Sequence, residues 1–216
     1  MIEKDLKQHV EGALEWEPSI DATDIGVSVD GGIVTLRGNV TSYAEKLSAE
    51  RAALRVYGVK GVANDLVVRL PSVYQRTDTE IAQAAVTALN WNSTIPRDHV
   101  TVAVTNGWIT LNGTLDWQYQ KDAAMDAVRA LTGVRGVTNE ILVRPVVKSA
   151  DILGKIEAAF KRSAEIDARR INVNAQDGKV VLSGNVHSWA ERQEAERAAW
   201  AAPGVTDVDD RLVIVP

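Results

Sequence analysis

Residues 30–40 read DGGIVTLRGNV, and close copies return as TNGWITLNGTL over 105–115 and QDGKVVLSGNV over 176–186. The match extends outward. Gly32, Gly38 and Gly58 reappear as Gly107, Gly113 and Gly133, a shift of 75 (107 − 32), and again as Gly178, Gly184 and Gly204, a further shift of 71 (178 − 107). Upstream, Ile25, Val27 and Val29 answer to Val100, Val102 and Val104, then to Ile171, Val173 and Ala175; Leu14 answers to Leu89 and Phe160. A long fixed period marks tandem units. The units are 1–70, 78–145 and 151–216, joined by RLPSVYQRTDT and RPVVKSAD, each with a proline just past an apolar run.

Within a unit, Gly31-Gly32, Asn106-Gly107 and Asp177-Gly178 suit the left-handed angles of a two-residue type I′ hairpin loop. That loop fixes the pairing: Val29 faces Val34, Val27 faces Leu36 and Ile25 faces Gly38, with equivalent apolar pairs in the other units. A helix follows, with capping-box spacing at Ser42–Glu45 and Ser188–Glu191 and a stripe of small residues at Ala49, Ala52, Ala53 and Val56. Gly58, Gly133 and Gly204 are expected to stop it. A last strand passes through Val62, Leu66 and Val68, and a first helix through Leu6, Val10 and Leu14. The fold class is therefore α+β: three tandem αββαβ units, each a three-stranded sheet with two helices packed on one face. The other face is less polar than a solvated face should be, with Ile33, Thr35 and Val67 in unit 1, Trp108, Thr110 and Leu142 in unit 2, and Lys179, Val181 and Val213 in unit 3. It is expected to pack on a neighbouring unit or another chain, or to receive a ligand.

The bulk composition bounds the function. At 45% hydrophobic and 25% charged, the 216 residues are ordinary for a globular chain, and no apolar run is long enough for a bilayer span. The N-terminus is charged from Glu3 on and lacks a secretory apolar core, which predicts a cytoplasmic protein, or a periplasmic one if the chain is a processed form. Cysteine is absent, which removes disulfides, thiolate metal sites and thiol nucleophiles. A net charge of −5 argues against nucleic acid as a partner.

The pattern Val-x-Val-x-x-Gly-x-Val-x-Leu-x-Gly-x-Val, then an alanine-rich helix, Gly-Val-x-x-Val and a final strand, resembles the BON domain (bacterial OsmY and nodulation). It is carried by Val27 to Val40 with Gly58-Val59 and Val62, by Val102 to Leu115 with Gly133-Val134 and Val137, and by Val173 to Val186 with Gly204-Val205 and Val208. The resemblance covers nearly the whole chain. It implies the αββαβ fold, no enzymatic activity, an association with osmotic and envelope stress, and binding to phospholipid at membranes.

Catalytic, cofactor and metal sites find no support in the residues. His9, His99 and His187 fall at unrelated places in the repeat, and Asp207, Asp209 and Asp210 lack the offsets of a calcium loop and are expected in a solvated loop. No Walker loop, nucleophile elbow or dinucleotide fingerprint occurs. The six tryptophans stand out. Trp16 and Trp91 are equivalent, near the end of the first helix, where unit 3 has Arg162. Trp117 and Trp189 lie at the start of the second helix, where unit 1 has Tyr43, and Lys46, Lys121 and Arg192 share one position a turn later. These aromatic–basic pairs would suit a lipid headgroup layer or a partner surface. The structural alternative has Trp16 and Trp91 stapling the helix to the hairpin, and Trp117 and Trp189 covering the helix start or a contact between units. Three functions are expected on these grounds: a phospholipid- or membrane-binding stress module, a protein-interaction or self-associating scaffold, and a small-ligand or ion-binding protein.

Overall fold

The computed structural model describes residues 3–144, 151–163 and 166–215. Each repeat runs helix–strand–strand–helix–strand. Repeat 1 comprises α1 (Glu3–Trp16), β1 (Ile25–Asp30), β2 (Ile33–Val40), α2 (Tyr43–Leu54) and β3 (Gly61–Val68). Repeat 2 comprises α3 (Asp78–Trp91), β4 (Val100–Thr105), β5 (Trp108–Leu115), α4 (Gln118–Arg129) and a third strand in two pieces, β6 (Gly136–Asn139) and β7 (Leu142–Val143). Repeat 3 comprises α5 (Ile152–Arg162), β8 (Ile171–Gln176), β9 (Lys179–Val186), α6 (Trp189–Trp200) and β10 (Asp207–Ile214). The join at 145–150 lies outside the described residues.

The opening stretch is the hairpin. In the turns, Gly31, Asn106 and Asp177 have φ of 57, 53 and 50°, and the glycines after them 88, 79 and 84°, the paired positive values of a type I′ loop. The register follows: Val29 opposite Val34, Val27 opposite Leu36, Ile25 opposite Gly38, and the same in the other hairpins. The third strand then pairs parallel with the second, from Ile33 opposite Gly61 to Val40 opposite Val68 in repeat 1 and from Lys179 opposite Asp207 to Val186 opposite Ile214 in repeat 3. A parallel partner requires a crossover, and α2 and α6 supply it. β2 and β9 are central strands, and in repeat 2 β5 takes that place with β4 on one side and β6 and β7 on the other.

Alternation along the central strand sets the layers. Val34, Leu36 and Val40 are buried with Leu6, Val10 and Leu14 of α1 and Ala49, Ala52 and Ala53 of α2, while Ile33 and Arg37 face away. Repeat 3 builds the same core from Ile156, Phe160, Val180, Leu182, Val186, Ala195 and Ala199. Alanines at the contact let each second helix lie close to its sheet.

Two expectations need correction. Gly58, Gly133 and Gly204 do not end the second helix. α2 stops at Leu54, capped by Arg55, and Gly58 sits beyond it at φ 93° in a separate turn closed by the Val59 amide donating to the Val56 carbonyl. That position of a type II turn demands positive φ, which explains the glycine, and Pro203 before Gly204 supplies the preferred residue ahead of it. The acidic cluster is not a loop either. Asp207, Asp209 and Asp210 lie in β10, where Asp209 pairs with Arg211 and Asp210 with Arg192. The Arg211 guanidinium donates to the Asp209 carboxylate and holds its pKa below the usual range.

Candidate functional site

The start of the second helix was one of two candidate surfaces. Ser42 and Ser188 cap it, their hydroxyls accepting from the Glu45 and Glu191 amides. The glutamates are themselves buried. Glu45 accepts from the Asp21 amide at 2.9 Å through Oε1 and from the Thr41 amide at 2.7 Å and hydroxyl at 2.8 Å through Oε2. Glu191 repeats this with the Asp167 amide at 2.9 Å and the His187 amide at 2.7 Å. Each carboxylate thus ties the loop before the hairpin to the helix start. In repeat 2 the equivalent is Gln120, whose Oε1 accepts from the Asp116 and Trp117 amides, both at 3.2 Å. Pro96 stands where Asp21 and Asp167 stand, so the loop has no N–H to offer. A carboxylate with two acceptor oxygens has been replaced by an amide with one where one set of donors is missing.

The aromatic–basic positions surround this clamp. Lys46 Nζ donates to the Leu66 carbonyl at 2.7 Å, fastening α2 to β3. Arg192 Nε donates to Asp210 at 2.7 Å, and its guanidinium lies 4.9 Å from the centre of the Trp189 ring. Trp189 packs on the repeat 3 core, and its indole nitrogen is buried without a hydrogen-bond partner. Trp117 takes the capping place of Ser42 and stacks at a tilt near Tyr119, ring centres 6.4 Å apart. Tyr43 is half-buried; burial pushes its phenol above the usual range, a backbone hydrogen bond from Val137 opposing. Lys121 occupies the equivalent half-buried place on α4. Lys46, Arg192 and Trp189 are therefore engaged within their own repeats.

The end of the first helix differs. Trp16 is 88% and Trp91 86% exposed, so neither staples its helix to the hairpin. Each is the last residue of its helix, two positions past the last buried residue, Leu14 or Leu89, and points off the core. The loop after Trp16 is ordered by its own bonds, the Glu17 amide to Leu14, the Ile20 amide to Glu17, and the Ser19 hydroxyl to the Glu17 carboxylate at 2.9 Å.

The outer sheet faces are the other exposed apolar surface. Ile33, Val67, Trp108, Leu142 and Val213 are all exposed. Trp108 nevertheless has a local structural role. Its ring lies over Gly136, its cross-strand partner, and its indole N–H donates to the Thr138 hydroxyl at 2.8 Å. The same pair is Ile33 over Gly61 in repeat 1 and Lys179 opposite Asp207 in repeat 3. A side chain at Gly136 would overlap the ring. Gly136→Val is expected to eject Trp108, cost about 1–3 kcal/mol and shift tryptophan emission to the red. Unchanged emission would show that the ring does not rest on the glycine.

Among the described residues no group of three or more His, Asp or Glu side chains is placed to hold a metal ion, and no helix is long and apolar enough to cross a membrane. Of the histidines, His187 accepts at Nε2 from Arg170 at 2.9 Å, since a guanidinium can only donate. Sequence reasoning missed the burial of Glu45, Gln120 and Glu191, although the capping-box spacing pointed at two of them. It also missed a groove in repeat 3 between α5 and α6, for which no motif exists.

Comparison with known proteins supports the repeat-by-repeat reading. The model of the BON domain matches residues 3–69, 77–145 and 148–216. The chain is 33% identical over 145 residues to Osmotically-inducible protein Y of Escherichia coli (strain K12), across 65% of this chain and 72% of that one. A solved structure of CdsD, a structural protein of the type III secretion system of Chlamydia trachomatis, aligns over 98% of this chain and 93% of its own at 16% identity and a TM-score of 0.27. The CdsD C-terminal domain aligns over 100% of both chains at 14% identity and a TM-score of 0.28. Scores that low carry no argument. The family matches fall on all three repeats, each with the hairpin, crossover helix and parallel strand derived above: the chain belongs to the BON-domain family and carries three such domains in tandem.

Proposed function

We propose that this chain is a non-catalytic, osmotic-stress-related binding protein that engages phospholipid at a membrane surface. The stress association rests on the family and on the name of the Escherichia coli relative. The observation that carries the membrane reading is the pair of indoles at one position of two repeats, Trp16 and Trp91, both almost fully exposed. An indole has an apolar body and a polar N–H and is at home at the boundary between headgroups and acyl chains. Lys46 and Arg192 are bonded within their repeats and the net charge is −5, so insertion rather than charge attraction is the driving term. Binding should therefore change little with salt.

Flotation with vesicles of phosphatidylethanolamine and phosphatidylglycerol tests this. The wild type is expected to float, and Trp16→Ala/Trp91→Ala to lose roughly tenfold in bound fraction. Equal recovery of both proteins would end the membrane reading. The second reading, a protein-interaction scaffold, is favoured by the open apolar faces at Ile33, Val67, Leu142 and Val213. Charged substitutions there would then abolish partner capture while leaving flotation intact.

A further inference from the structure

We propose that a second copy of this chain docks on repeat 3, its Trp16 entering the groove between α5 and α6. The open groove has a volume of about 380 Å³ and is lined by Gly154, Ala158, Ala198 and Ala202 among others. A dry cavity of roughly 150 Å³ accommodates benzene, so the volume of this groove is on the scale an indole side chain needs. Repeat 1 carries Arg55 and Tyr57 where repeat 3 has Ala201 and Pro203, and these small residues border the groove. Its rim carries Arg162 toward the end of α5, with Asp151 and Lys155, both already engaged, at the helix start.

The plug matches in shape and in charge. Trp16 stands 88% exposed at a helix end fixed by its own hydrogen bonds. It lies between Glu15 and Glu17, so an indole seated among the alanines brings two carboxylates toward Arg162. Trp91 is as exposed but lies between Asn90 and Asn92 and offers the rim no charge. Charge complementarity therefore selects Trp16. Because plug and groove lie at different places on the chain, the contact is heterologous, and it builds open chains or rings rather than a two-fold dimer. The inference does not rest on the membrane reading. One indole cannot occupy a bilayer and a groove together, so vesicles should dissociate the assembly.

Sedimentation velocity and light scattering without lipid, from about 10 μM to about 1 mM, decide the matter. The weight-average mass is expected to climb from 23.4 kDa through successive multiples and to fall back in high salt. Trp16→Ala should hold the protein at monomer mass at every concentration, and Trp91→Ala should associate like the wild type. Arg162→Glu should weaken association at least tenfold, and adding Glu15→Lys/Glu17→Lys to Arg162→Glu should restore it, a rescue that misfolding cannot mimic. Arg162→Glu should still float with vesicles. A wild type that stays monomeric throughout, a mass indifferent to Trp16→Ala, or a charge exchange that fails to rescue would each overturn the proposal.

Discussion

Alanine at Gly38, Gly113 or Gly184 is expected to cost its own repeat about 4 kcal/mol or more, nearly all the stability a domain of this size has. The three glycines have φ of 132, 153 and 122°, a region closed to residues with a side chain. The larger penalty is contact. A Cβ at these positions would overlap the carbonyl oxygen of Asp24, His99 or Arg170, the residue just before the first strand of each hairpin. Repeat 3 shows why the chains come so close: Asn185 donates its amide to the Arg170 carbonyl at 3.2 Å, one bond past the last ladder pair, Ile171 with Gly184. Neither partner can retreat without breaking the end of the hairpin, because both are backbone. Gly12→Ala is the control. That glycine lies in α1 with nothing within 4 Å of its added Cβ, and the exchange should stabilise by about 0.5–1 kcal/mol. Urea unfolding followed by NMR reports each repeat separately. A loss below about 1 kcal/mol in the substituted repeat would refute the close-approach account.

The contrast between the glycines shows what could be read in advance. Gly32, Gly107 and Gly178 belong to a local turn, and a local turn is written in adjacent residues, so both the turn type and the register it imposes followed directly. Gly38 was visible only as a recurring letter opposite Ile25, because its cause is a carbonyl from another segment. Gly58 misled for the opposite reason: a glycine after a helix has two uses, and only coordinates separate a helix stop from the type II turn that follows one. The tryptophans divide the same way. Trp189, read in sequence as a headgroup candidate or a cover for the helix start, packs against the repeat 3 core. The exposure of Trp16 depends on whether the hairpin reaches the helix end, a tertiary question. Lys46 and Arg192 looked like solvent-facing cations because their acceptors, a strand carbonyl and Asp210, are distant in sequence.

The buried glutamates make the second strong prediction. In Glu191→Ala the Asp167 and His187 amides lose their acceptor inside a half-buried joint, at about 1–3 kcal/mol each, so repeat 3 is expected to lose about 3–4 kcal/mol. Glu45→Ala should act alike in repeat 1 through Asp21 and Thr41. Gln120→Ala should cost only about 1–2 kcal/mol, because neutral bonds of 3.2 Å are weaker and Pro96 leaves no loop donor to orphan. Glu191→Gln separates charge from geometry. An amide oxygen can serve one side of the joint, but the NH₂ then faces a donor on the other, so about 2 kcal/mol should still be lost even though repeat 2 uses glutamine at that very place. The measurement is the urea midpoint of each repeat resolved by NMR. If Glu191→Gln proved neutral, the joint would not need both oxygens, and the pairing of glutamine with Pro96 in repeat 2 would have no electrostatic cause.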